Sequence, residues 1–322
     1  MARPATFKVI LRAHVFRDEL IGLAQRLDLE LVCADDLPTL EREAPGMQAL
    51  WTVPSAYDAS VAEILKERAT SLRWIGLTSV GYDPLLRFGV PAGTIVTNVG
   101  DALAPVVAEH AVMLLLALVR RLAAMHRRQL ESAWDPSVMR ELRSLEDLTV
   151  AIVGFGRIGR AIAHRLRAFD ARIVGVRASG RADPLADEMY PAPRLRDALA
   201  QVDAAIVAVP MNARTCGLIG PAELEALPPD ALLVNVARGA VIDLQALKEA
   251  LRRNRLAGVA LDVTDPEPLP ADDPLWRDPR LLITPHVGGF GGIASSRRIL
   301  ALFERNVAAF RAGEPLEAQV SV

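Results

Sequence analysis

Arg238, Glu267 and His286 are the side chains best suited to moving a proton beside a bound anion. Each follows a short apolar run, in VNVARGAVID, ALDVTDPEPLP and TPHVGG. Residues just past the carboxyl ends of strands face one crevice in an open parallel α/β sheet. An imidazole ordinarily titrates near ~6.5 and so gives or takes a proton at neutral pH. A neighbouring carboxylate fixes the ring and favours its charged form. Arginine offers a permanent fork for a carboxylate and stabilises a developing alkoxide. Singly, each has an ordinary alternative: Arg238 paired with a surface acid, Glu267 a loop charge among prolines, His286 a satisfied turn residue. Together they make a working set for reducing a 2-keto acid, which needs hydride at carbon and a proton at oxygen.

The hydride source is suggested by Val150–Gly159, VAIVGFGRIG. An apolar run enters Gly154, Phe155, Gly156, Arg157, Ile158 and Gly159, and helical spacing follows over 161–169. In such a strand–turn–helix, Gly154 permits the tight turn, Gly156 lets backbone approach a pyrophosphate, and Gly159 allows close helix–strand packing. The helix N-terminus supplies free N–H donors and partial positive charge. A purely structural glycine turn is the alternative. Roughly 20 residues on, where an acid would hold the adenosine ribose, stands Arg177, with Ser179 and Arg181 near by. An arginine there pairs with a 2′-phosphate, so NADP(H) is favoured over NAD(H). The alternative is a solvated loop arginine in an unselective site.

The elements that position these groups follow from the rest of the chain. Its 322 residues are 51% apolar, enough for two domains with sizeable cores. A net charge of −2 argues against nucleic acid or an anionic membrane as partner. Lysines stand only at 8, 66 and 248, leaving little room for Schiff-base chemistry. Cys33 and Cys216 are too far apart for a CxxC site or a disulfide framework. No signal peptide is read at the N-terminus. The longest apolar run, Ala111–Val119, is too short to span a bilayer, so a cytoplasmic location is expected. Glu109-His110 has no second ligand at metal spacing and reads as a packed or hydrogen-bonded pair; no metal is expected.

Strands are predicted at Phe7–Leu11, Glu30–Cys33, Ala49–Val53, Trp74–Leu77 and Ile95–Val99, alternating with short helices. A second series runs Val150–Val153, Arg172–Val176, Ala204–Val209, Leu232–Val236, Gly258–Leu261 and Leu281–Thr284, with a final helix at Ala294–Ala312. The alternation predicts α/β architecture: a Rossmann nucleotide-binding domain (99–286) inserted in a flavodoxin-like α/β substrate domain (1–98 and 287–322), both with parallel sheets. Two chain crossings would make a hinge beside a cleft. A long helical region, Asp101–Arg128, is apolar nearly all round over 104–122, as expected for burial between domains or subunits. The loop Thr78–Asp83 follows a strand end, where Gly81 would free backbone N–H groups for a carboxylate; a plain turn is the alternative.

The chain resembles the D-isomer-specific 2-hydroxyacid dehydrogenases over nearly its whole length. The strings SVGYD, VAEHAVMLLLALVRR, VGFGRIGR, VPMNARTCGLIG, VNVARGAVID, ALDVTDPEPLP and TPHVGG occur in the family's order and approximate spacing. The resemblance implies that Arg238 binds the substrate's carboxylate and keto oxygen, that His286 is the acid–base, and that Glu267 is its partner. It also implies that Asp262 touches the nicotinamide, that Val80 and Gly81 bind the substrate carboxylate through backbone, and that Pro210 and Thr215 lie along the cofactor. The helix around Val107–Arg121 is similar to one that builds a two-fold homodimer. A small 2-keto or 2-hydroxy acid of the glyoxylate or hydroxypyruvate type is the expected substrate.

The chain also departs from the family pattern. Arg177 resembles the basic type of glyoxylate and hydroxypyruvate reductases rather than the acid of NAD-using members. Glu146-Asp147 replace a glycine before the nucleotide domain, and Phe290-Gly291-Gly292 follow TPHVGG where a hydroxyl residue and an acid are common. Trp134 corresponds to a tryptophan that some small-acid reductases send into the partner's cleft; an anchor packing the dimer arm is the alternative. Trp51, Tyr82 and Phe290 are further candidates to shape a pocket. Formate and phosphite dehydrogenases share the implied fold, although formate dehydrogenases pair their histidine with glutamine. A non-catalytic NAD(P)-sensing regulator is the reading from another class.

Overall fold

A computed structural model of the chain describes residues 7–322. Residues 1–6, where the signal-peptide reading begins, lie outside the described residues. The chain opens with β1 (Lys8–Arg12), α1 (Arg17–Arg26), β2 (Glu30–Cys33), α2 (Leu37–Glu43), β3 (Ala49–Thr52), α3 (Ala59–Arg68), β4 (Trp74–Leu77), α4 (Asp83–Phe88) and β5 (Ile95–Thr97). Two helices follow, α5 (Ala104–Val119) and α6 (Leu122–Leu130). Next come β6 (Thr149–Val153), α7 (Arg157–Arg167), β7 (Arg172–Arg177), β8 (Glu188–Pro191), α8 (Leu195–Leu199) and β9 (Ala204–Val207). The series continues with α9 (Pro221–Ala226), β10 (Ala231–Asn235), α10 (Leu244–Arg252), β11 (Leu256–Leu261) and β12 (Leu281–Ile283), and closes with α11 (Ile293–Ala312) and β13 (Gln319–Val320).

Contacts divide the chain into two units. One runs up to Leu103 and takes in Gly291–Val322; the other is Ala104–Phe290.

The first unit is built on a six-stranded sheet of order β13-β5-β4-β3-β1-β2. Its strands pair in parallel except β13, which runs antiparallel to β5. That edge strand is held because Asn306 on α11 exchanges two hydrogen bonds with the backbone of Glu317. Asp36 and Asp58 cap α2 and α3 by accepting from Thr39 N and Val61 N, supplying acceptors that the first helical turn lacks. Trp51, considered above as a pocket residue, is instead fully buried. It packs edge-on against Trp74 and Phe303, with ring centroids 6.1 and 5.1 Å away. Gly76 makes room for this cluster, since a Cβ there would approach Phe303 to 3.0 Å.

The second unit carries a seven-stranded parallel sheet of order β12-β11-β10-β9-β6-β7-β8. The strand order reverses direction at β6, leaving a switch point at the carboxyl ends of β6 and β9. Six strands were expected; the additional one is β8. Its sequence, EMYP, has no alternating apolar pattern, and it forms through edge pairing with β7. The helical region expected over 101–128 is broken. Arg121 takes a left-handed backbone between α5 and α6, and its guanidinium donates to Ala257 O at 3.1 Å and to the Glu141 carboxylate. A tertiary anchor of this kind overrides a continuous helical pattern. Among the described residues no helix is long and apolar enough to cross a membrane.

Candidate active site

Three strands of the second unit end level with one another. Asn235 of β10 is opposite Leu261 of β11, which is opposite Ile283 of β12. Arg238, Glu267 and His286 lie in the turns just beyond, at the carboxyl edge of the sheet, and each turn is braced by a buried or half-buried polar side chain. Asn235 accepts from Ala237 N and donates to Arg238 O, both at 3.0 Å, which fixes the backbone that carries Arg238. The Arg238 guanidinium donates to Ala237 O at 2.8 Å. Gly239 packs so closely on Thr264 that a Cβ would overlap its carbonyl, seating the arginine turn against the turn that leads to Glu267.

Thr264 in turn donates to Pro266 O at 2.8 Å. Glu267 sits between two prolines, with cis bonds at Asp265–Pro266 and Glu267–Pro268. Its carboxylate meets His286 Nδ1 at 2.6 Å, so the pairing expected from sequence is formed. Both side chains are a little over 40% exposed. A hydrogen bond from Nδ1–H to the carboxylate sets the tautomer in which Nε2 exchanges the working proton.

The third turn depends on Asp262. Its side chain is only 3% exposed, yet it gathers donors from Thr284 Oγ1 at 2.6 Å, Gly288 N at 2.9 Å, Val287 N at 3.0 Å and His110 Nε2 at 3.1 Å. Burial alone would raise the carboxyl pKa. The hydrogen bonds from His110, Thr284, Gly288 and Val287 outweigh it and bring the value down to about 2. The Asp262 carbonyl also accepts from His286 N at 2.8 Å. Sequence reading singled out Asp262, but it missed Asn235, Thr264 and Thr284; the common signal is a polar residue at, or within three positions after, the end of an apolar strand.

The glycine turn fits a dinucleotide pyrophosphate. Gly154 has φ 104°, a backbone that L side chains rarely adopt, and a Cβ there would press on the backbone of Ala208. A Cβ at Gly159 would overlap the Gly154 carbonyl, whereas around Gly156 nothing lies within 4 Å. The N-terminus of α7 carries no side-chain cap, so its donors are directed outward beside exposed Arg157. Phe155 is buried and Ile158 half-buried, which makes them packing residues of the turn.

Beyond β7, Arg177 donates to the carbonyls of Arg181 and Ala182 and lies 3.6 Å from the buried carboxylate of Asp183, which also pairs with Arg160 on α7. Ser179 accepts from Arg181 N at 3.4 Å, and the Arg181 side chain is exposed. Thr215 ties its own loop together, donating to Pro210 O at 2.7 Å and accepting from Asn212 N. In the first unit, Val80 and Gly81 lie in the turn after β4; Asn98 donates to Val80 O at 2.8 Å and Ser79 to Gly81 O at 3.0 Å. Tyr82 packs on the core of that unit, whereas Phe290 is exposed in the second and Trp134 is 95% exposed. No cluster of three metal-ligating side chains occurs among the described residues.

A Rossmann sheet with an open phosphate-binding turn and a histidine–carboxylate pair on its carboxyl edge defines a class of nicotinamide-nucleotide enzymes. Residues 112–288 match the model of the D-isomer specific 2-hydroxyacid dehydrogenase NAD-binding domain. A glyoxylate reductase of Pyrococcus furiosus is 34% identical, over 85% of this chain and 85% of that protein. A crystal structure of a D-isomer specific 2-hydroxyacid dehydrogenase family protein from Aeromonas salmonicida has a TM-score of 0.82 at 30% identity, covering 98% of this chain and 99% of that one. An NAD-dependent formate dehydrogenase from Staphylococcus aureus, in complex with NAD, has a TM-score of 0.80 at 27% identity, with 98% and 99% coverage. The chain belongs to the D-isomer-specific 2-hydroxyacid dehydrogenase family and is an NAD(P)-dependent oxidoreductase.

The Asp262 carboxyl predicts an acid limb in stability. Its folded pKa of about 2 lies below the ordinary 3.8, so ionisation favours the native state above about pH 4, and that contribution fades as pH falls toward about 2. The loss is on the order of 2 kcal/mol. Urea unfolding over this range should show it, and Asp262→Asn should flatten the slope.

Proposed function

We propose that the protein reduces a small 2-keto acid of the glyoxylate or hydroxypyruvate type to the D-2-hydroxy acid. The observation that carries this reading is the 2.6 Å contact between His286 Nδ1 and the Glu267 carboxylate, at the sheet edge where Arg238 also emerges. The hydride would come from a reduced nicotinamide nucleotide held at the glycine turn. Arg238 holds the substrate's carboxylate and polarises its keto oxygen, a charge-assisted contact that strengthens as that oxygen becomes an alkoxide. His286 donates the proton from Nε2, and Glu267 keeps the ring in the tautomer and orientation the transfer needs. Val80 and Gly81 are proposed to offer main-chain N–H groups to a carboxylate.

The glycine turn from Gly154 to Gly159 is proposed to take the pyrophosphate, with Pro210 and Thr215 along the cofactor and Asp262 next to the nicotinamide. NADP(H) is favoured over NAD(H). The acid nearest to Arg177, Asp183, is buried and pairs with both Arg160 and Arg177, so it presents no exposed negative charge to a 2′-phosphate. A homodimer formed through α5, α6 and the segment after them is also proposed. Met113, Leu122, Met125, Leu130, Trp134 and Met139 are all exposed apolar residues of this stretch, an arrangement that marks an interaction surface.

His286→Asn should lower kcat with glyoxylate by about 10²–10⁴-fold, measured by absorbance of the reduced cofactor; near-normal turnover would refute the assignment. A panel of 2-keto acids, formate and phosphite identifies the substrate class, and no turnover on any of them would favour a nucleotide-sensing regulator. For the cofactor, kcat/KM should be higher with NADPH than with NADH. Arg177→Ala should weaken equilibrium binding of 2′,5′-ADP about tenfold or more, as expected on loss of a charge-assisted contact. Equilibrium sedimentation should give a dimer, and Leu122→Arg together with Met125→Glu should shift it toward monomer.

A further inference from the structure

Behind the loop that carries His286 lies a polar cluster in which His110 and Thr284 have no task in the proposed reaction. His110, on the second turn of α5, places Nε2 3.0 Å from Thr284 Oγ1 and 3.1 Å from Asp262 Oδ1. The ionised Asp262 carboxylate can only accept, and the Thr284 hydroxyl directs its proton to Asp262 at 2.6 Å. Both neighbours of Nε2 are therefore acceptors toward it, and the proton of this imidazole is assigned to Nε2.

The carboxylate that His110 touches also restrains the main chain after His286. Asp262 Oδ1 accepts from Val287 N, and Oδ2 from Gly288 N. Packing there is tight: a Cβ on Gly288 would come within 2.8 Å of Asp262 Oδ2 and 3.1 Å of the His110 ring. His286 itself has φ 53°, a left-handed backbone that a non-glycine residue keeps only when its surroundings hold it.

We propose that His110 is a positioning residue for His286. Through Thr284 and Asp262, the imidazole on α5 fixes the rotation of the carboxylate that ties Val287 and Gly288. This keeps His286 in the backbone conformation that sends Nδ1 to Glu267. Without the Nε2 donor, Oδ1 keeps only Thr284 and Val287 as partners, the carboxylate is free to rotate, and the two main-chain N–H groups lose their fixed acceptor. The inference rests on the reading of His286 as the acid–base.

Three variants test it: His110→Leu fills the space without a donor, His110→Gln returns an N–H near the level of Nε2, and His110→Asn is too short to do so. Hydrogen exchange of the 284–290 segment, read by mass spectrometry, reports the tie directly. The leucine and asparagine variants should speed exchange at Val287 and Gly288 about tenfold or more, the signature of an opened local tie. They should lower kcat about 10–100-fold, the scale of a displaced catalytic group, with the KM for NADPH changed less than about twofold. The glutamine variant should recover most of both losses. Thr284→Val should reproduce the leucine phenotype, and the double variant should be no worse than either single one, because both act through one carboxylate.

Wild-type exchange or wild-type kcat in a folded leucine variant overturns the proposal, as does a glutamine variant no better than leucine. If the leucine variant fails to fold, the glutamine and asparagine pair carries the comparison alone. The two readings fail differently. An active His286→Asn enzyme with fast exchange in His110→Leu removes the acid–base assignment, whereas an inactive His286→Asn enzyme with unchanged exchange removes only the role of His110.

Discussion

The level ending of β10, β11 and β12 is the constraint from which the candidate site follows. Parallel strands have evenly spaced, slanted hydrogen bonds, so once Asn235, Leu261 and Ile283 are in register their following turns emerge side by side. A slip in any pair would carry one of Arg238, Glu267 and His286 away from the others and move every side chain of the strand to the opposite face of the sheet. All of β10 is buried, which makes such a slip costly. Residues far apart in the chain are thus brought to one edge by core packing.

What the register brings together, polar residues at the strand ends hold in place. Asn235 fixes the backbone before Arg238, Thr264 the proline-rich turn before Glu267, and Asp262 the turn after His286. Gly239 lets the first of these turns lie against the second. This arrangement holds the three partly exposed side chains on braced backbone. The two carboxylates near the histidine divide the work by environment. Asp262 is sequestered among donors and stays ionised, whereas Glu267 is open to solvent and directed at the ring.

The glycine turn after β6 is built on close approach rather than charge. Gly154 and Gly159 pack against backbone, and the uncapped helix beyond them directs its donors outward. Beside it, past the carboxyl end of β7, Asp183 collects Arg160 and Arg177, so the basic character of that loop is organised around a buried acid.

Much of this was legible from residue order alone. Glycine spacing after a β-branched run, alternation of short strands with helices, and the family's motifs in sequence determine the fold class, the nucleotide turn and the histidine–glutamate pair. The first two are local signals, carried by backbone freedom and apolar periodicity within a few residues; the pair, 19 residues apart, is what the family resemblance implies. Tertiary structure decided the rest. The break at Arg121 depends on Ala257 O and Glu141, β8 on the exposed edge of β7, and the burial of Trp51 on Trp74 and Phe303. The grouping of His110, Thr284 and Asp262 is of the same kind. No spacing rule joins a helix residue to two strand ends more than a hundred positions away; only packing of α5 on the sheet brings their atoms within hydrogen-bond distance.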